Sequence, residues 1–154
     1  MYKRIKLIFV TLVLVFTAAS TSQLAHAKSD EIYTSWRNNM AVSGYDAVSF
    51  HRGNPVEGRP KLTTLWKGAQ WQFINQRNLD AFLESPERYA PAYGGYCAWA
   101  VAKGKLAKGK PKHWTIKDEV LYLNFNKKIK HRWLKDTDSF IAHGDENWPG
   151  ILEK

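Results

Sequence analysis

One cysteine, Cys97, stands in the whole chain, so no disulfide can close within it and any fold must hold by packing alone. Seven tryptophans answer that demand. Trp36, Trp66, Trp71, Trp99, Trp114, Trp133 and Trp148 can each bury on the order of 200 Å². Spread along the chain as they are, they predict an aromatic core rather than the lining of one pocket.

The constraint matters because the chain reads as exported. Lys3, Arg4 and Lys6 precede an apolar run from Leu7 to Ala19, and Ala25-His26-Ala27 follows, the three-part layout of a secretory signal peptide. The run is well short of the roughly 20 residues a membrane span needs. The expectation is a signal over 1–27 cleaved after Ala27, a periplasmic destination in a bacterium, and contact with the membrane only in transit through the signal. Residues 28–154 then suffice for one domain. The formal charge is +9, and the three positives in the signal, with no acids there, leave +6. These positives gather in two stretches, Lys103 to Lys112 and Lys127 to Lys135, which read as a solvated loop and a solvated helix face. Nucleic acid is no partner outside the cytoplasm, whereas an acidic surface or anionic headgroups fit the charge.

Along the chain, residues 28–40 are polar and without clear period, predicting a flexible lead-in with one helical turn near Ile32 to Arg37. Ala47 to His51 has the character of a short edge strand, broken by Arg52-Gly53-Asn54-Pro55. Thr63 to Phe73 reads as a hairpin through Lys67-Gly68, and Asn75 caps a helix carrying Leu79, Phe82 and Leu83 that Ser85-Pro86 ends. A second helix enters through Gly94-Gly95, with Tyr93, Cys97, Ala100 and Val101 on one stripe and Gly104 as its C-terminal glycine. After an exposed Lys-rich loop, His113 to Ile116 and Val120 to Phe125 form a second hairpin. Asn126 caps a further helix, and Thr137 or Asp138 caps the last. Small antiparallel hairpins packed against several short helices make the expected class α+β.

Several of these residues fall into a known pattern. Gly44-Tyr45-Asp46-Ala47-Val48, Gly53-x-Pro55-Val56-x-Gly58, Trp66-x-Gly68-x-x-Trp71-x-Phe73, Tyr93-Gly94-Gly95-Tyr96-Cys97-Ala98, Leu121-Tyr122-Leu123-Asn124 and Asn147-Trp148-Pro149 resemble the exported single-domain branch of the YHS domain proteins. The resemblance covers residues 41–150. It implies a YHS-type domain there, and relates it to treble-clef-like modules whose cysteines, near the opening strand and at the first helix start, hold a metal. Tyr45 to Phe50 and Phe73 to Asn78 contain no cysteine, so that ligand set is absent here.

The chemical candidates are few. Structural zinc needs about four Cys or His ligands at suitable spacing, and no CxxC or HxxxH pattern occurs. Copper(I) as cofactor needs fewer, and Cys97 with His51 or His113, or with Met40, would be its ligand set. Cys97 near a glycine-led helix start also fits a thiol nucleophile, and equally a buried small hydrophobe. Tyr45, Asp46, Tyr93, Tyr96 and Trp99 are the candidate binding residues for a small ligand, although Asp46 would serve as well to fix a turn through backbone hydrogen bonds. No Ser/His/Asp order, phosphate-cradling loop or haem signature appears, so no catalytic residue is assigned. The function expected is that of an exported binding or accessory module for a soft metal or small ligand, with a Cys97-dependent redox enzyme and a protein- or membrane-surface interaction module as alternatives.

Overall fold

The computed structural model describes residues 28–153, so the signal-peptide reading over 1–27 lies outside the described residues. Among the described residues, six short α-helices and two small sheets make an α+β fold, as the alternation of hairpin and helix signals predicts. Strands β1 (Thr34–Ser35), β2 (Asn38–Ala41), β3 (Arg59–Trp66) and β4 (Ala69–Phe73) form one sheet in the order β1-β2-β4-β3. Strands β5 (Lys110–Lys117) and β6 (Val120–Asn124) form the other. The helices are α1 (Ala47–Phe50), α2 (Gln76–Glu84), α3 (Pro86–Tyr89), α4 (Ala98–Ala102), α5 (Lys127–Trp133) and α6 (Thr137–Asn147). None is long and apolar enough to cross a membrane.

The chain runs one backbone plan twice, displaced by 51 residues, as from Gly44 to Gly95. Val42, Ser43 and Gly44 have φ of 51°, 54° and 83°, and Tyr93, Gly94 and Gly95 have 54°, 59° and 88°. Each triplet leads into a one-turn helix capped by Asp46 or Cys97, whose amides donate to Val56 (2.9 Å) and Ala107 (2.8 Å). Each is met by a glycine, Gly58 or Gly109, donating back to the carbonyl of Gly44 or Gly95. Both hairpins carry an irregularity at the same place, between Arg59 and Thr63 and between Lys110 and Trp114. Each hairpin then ends on an asparagine cap, with Asn75 accepting from the Asn78 amide and Asn126 from that of Ile129. The repetition is written in the residues as Gly44-Tyr45-x-Ala47 against Gly95-Tyr96-x-Ala98, and Gly58-x-Pro60-Lys61 against Gly109-x-Pro111-Lys112.

Each half covers its hairpin with its own helix. Trp71 packs on Phe82 at 4.8 Å between ring centroids and 33° between planes, and Tyr122 packs on Trp133 at 5.1 Å and 38°. Strand β6 welds the halves together, because its alternation sends Leu121 and Leu123 into the first core and Tyr122 into the second. Trp36 departs from the aromatic-core expectation. It sits on the turn between β1 and β2 and is 89 % exposed.

Four local expectations are corrected. Ala47 to His51 is the helix α1 and its cap instead of an edge strand, because Asp46 accepts from the amides of Val48 (2.9 Å) and Ser49 (3.2 Å). That single turn is enclosed on all sides, so Val48 and Phe50 are both buried without strand alternation. Residues 32–37 hold β1 and a turn in place of a helical turn. Ile32 joins the first core and the amide of Tyr33 donates to Gly94 at 2.9 Å. Helix α4 begins only at Ala98, so Tyr93, in a left-handed conformation, shares no helical stripe with Cys97. Finally, Asp136 caps α6, with its side chain accepting from the Ser139 amide.

Candidate functional site

Asp46 and Cys97 occupy equivalent positions in the two halves and are both buried. The Asp46 carboxylate is fully committed. One oxygen accepts from the amides of Val48 and Ser49, the other from the amide of Ile74 (3.0 Å) and the side-chain nitrogen of Asn78 (2.6 Å). Asp46 therefore fixes the turn and ties α1 to the end of β4 and to α2. With four donors on its two oxygens, the carboxylate has no lone pair left for a metal.

Cys97 inherits the same surroundings. The amides of Ala100, Phe125 and Trp99 face its sulfur, the counterparts of those of Ser49, Ile74 and Val48 around Asp46. Asn124, fully buried, takes the place of Phe73 and sets its amide oxygen 3.6 Å from the sulfur, while its side-chain nitrogen has no partner. Burial pushes the thiol pKa up, and the three backbone donors pull it down, with burial the larger influence. Cys97 is 1 % exposed, which gives it the environment of a core residue.

This donor-rich setting makes a prediction that burial alone would reverse. Cys97→Asp is expected to melt closer to the wild type than Cys97→Val, because the carboxylate meets the amides of Trp99, Ala100 and Phe125, counterparts of three of the four donors that hold Asp46, whereas valine leaves them bare. Thermal denaturation of the two variants decides it, and the opposite order would show that only apolar volume counts at this position.

The remaining candidates fall into three settings. His51 meets Tyr89 edge to face at 5.3 Å between ring centroids, with its Nε2 atom buried and without partner. His113 lies beside Lys110, Lys112 and Lys130. Among the described residues no three His, Cys, Asp or Glu side chains are grouped to hold a metal ion. Tyr93 and Tyr96 pack on Trp148 at 5.9 and 6.0 Å, and their hydroxyls bond the Asp145 carboxylate (2.9 Å) and the Asp30 carbonyl (2.9 Å). Trp99 packs against that same second core.

His51 carries a pH signature. Burial holds its pKa below the ordinary 6.5, with Arg88 adding to the effect, against the hydrogen bond to the Tyr89 backbone and the charge of Glu119. The unfolded chain therefore binds this proton more readily. The associated stability is full above pH about 6.5 and is lost as pH falls through the lower folded-state value. The melting temperature should drop over that acid window, and His51→Phe, which keeps an aromatic ring against Tyr89, should flatten the drop.

Of the five ligand candidates, Tyr45 lines a cleft of about 460 Å³ and Tyr93 a smaller one of about 180 Å³. Tyr33, Ser35, Ser43, Tyr45, Glu57 and the segment Lys108 to Lys112 enclose about 460 Å³ between the two halves. Ser43, Tyr45 and Glu57 come from the first half and the lysines from the second, with Glu57 and Lys108 at equivalent positions. Sequence reading singled out Tyr45 but missed its partners, and the signal that would have found them is the 51-residue repetition that sets Glu57 against Lys108. No family model, curated protein or solved structure matches this chain.

Proposed function

We propose that this chain is an exported binding module of the YHS type, without catalytic chemistry at Cys97, that takes a small anionic ligand in the cleft between its halves. The cleft carries the reading. Two aromatic rings, Tyr33 and Tyr45, and two hydroxyls, Ser35 and Ser43, stand around about 460 Å³ with Lys108, Lys110 and Lys112, against the single acid Glu57. A volume of that order, aromatic surface and a few convergent polar groups is the usual make-up of a small-molecule site. The YHS reading is supported by its glycine motifs, since Gly44 and Gly95 hold φ values that disfavour any other residue.

The test is a thermal-shift screen of small carboxylates and phosphate esters. At least one should raise the melting temperature of the wild type, and Tyr45→Ala and Lys110→Ala should each remove the rise. If none raises it, the cleft is not a ligand site.

A further inference from the structure

A second basic surface lies beyond Lys112. Lys112, His113, Lys127, Lys130, His131 and Leu134 enclose about 410 Å³ between β5 and α5. No acid lines this cavity, and none of its lysines belongs to the ion pairs formed among the described residues. The field is therefore uncompensated. Lys130 donates its ammonium hydrogen to the carbonyl of Trp114, and burial lowers its pKa. His113 is held low by burial and then by Lys110, Lys130 and Lys112.

Apolar side chains stand within this field. Leu134, at the cavity, is 47 % exposed, and Phe125, just before α5, is 37 % exposed with the ammonium groups of Lys110 and Lys108 at 5.0 and 6.0 Å from its ring centroid. The first half shows that the fold does not require this chemistry. Where α5 reads Lys127-Lys128-Ile129-Lys130-His131-Arg132-Trp133, the equivalent stretch of α2 reads Gln76-Arg77-Asn78-Leu79-Asp80-Ala81-Phe82.

We infer that the face formed by β5, Phe125 and α5 docks on an anionic lipid bilayer. Its lysines lie over lipid phosphates while Phe125 and Leu134 enter the boundary between headgroups and acyl chains. A dissolved polyanion would engage the lysines but would have no use for the two exposed apolar side chains. This surface adjoins the ligand cleft: Lys112 borders both, and Lys108 and Lys110, which flank Phe125, line the cleft.

Co-sedimentation of the full chain with vesicles tests the inference, using phosphatidylcholine containing one-third phosphatidylglycerol against pure phosphatidylcholine. Binding is expected on the anionic vesicles alone, weakening as salt rises. Lys127→Ala should lower the affinity about five-fold. Leu134→Ser with Phe125→Ser should lower it at unchanged charge, and Tyr45→Ala should leave it intact even if the cleft reading fails. Equal binding to both vesicles would assign the attachment to the apolar leader and overturn the inference. So would displacement by millimolar inorganic phosphate, or a double serine variant that binds as well as the wild type, either of which would mark a site for dissolved anions.

Discussion

Asp46→Ala should remove roughly 3–5 kcal/mol of stability, a large part of what a domain of this size possesses. The substitution strips the acceptor from four donors at once, the amides of Val48, Ser49 and Ile74 and the side chain of Asn78, in a place water does not reach. The loss is also cooperative, because those donors belong to α1, to the residue following β4 and to α2. Urea denaturation followed by tryptophan fluorescence measures it. A loss below about 1 kcal/mol would mean that the four groups find other partners and that the carboxylate does not organise the first half.

Gly94→Ala is the second large effect, at roughly 2–4 kcal/mol. A Cβ atom there would stand 1.7 Å from the carbonyl oxygen of Glu31, and φ of +59° already disfavours a side chain. The chain passing overhead must lift. It would carry away the hydrogen bond from Tyr33 to Gly94 and withdraw Ile32 from the core. Deleting residues 28–33 should therefore cost a similar amount, and combining the deletion with Gly94→Ala should add little. Thermal melting of the three variants is the measurement. Fully additive losses would show that Gly94 acts elsewhere than through this contact.

Hairpins and asparagine-capped helices were readable in the sequence because each is specified locally, by Lys67-Gly68 at one turn and by Asn75 and Asn126 at the helix starts. Helix α1 was not readable as such. Val48 and Phe50 alternate with polar or small neighbours as a strand would, and only the distant partners of Asp46 reveal a cap. Segment 28–33 misled for a related reason. Its composition is polar, but its anchors, Gly94, Tyr96 and Leu152, lie far along the chain. For the sites, residue type pointed to Cys97 and Tyr45, whereas the cleft and the basic cavity arise from two segments meeting. Lys112 comes beside Lys127 and Lys130 only after β5 and α5 have packed. The duplication stands in plain view at Gly44-Tyr45 and Gly95-Tyr96, yet it becomes persuasive through matching backbone angles that residue letters do not display.

The two copies of the plan have diverged in charge more than in shape. Residues 41–91 hold six basic and five acidic side chains, and residues 92–142 hold eleven and four. Such lopsidedness on a rigid frame gives the molecule a permanent electric dipole. In a field falling off over a Debye length of about 8 Å at physiological salt, it would be turned before it touches anything. An approaching anionic surface would draw the second half toward it more strongly than the first, so that orientation would precede contact.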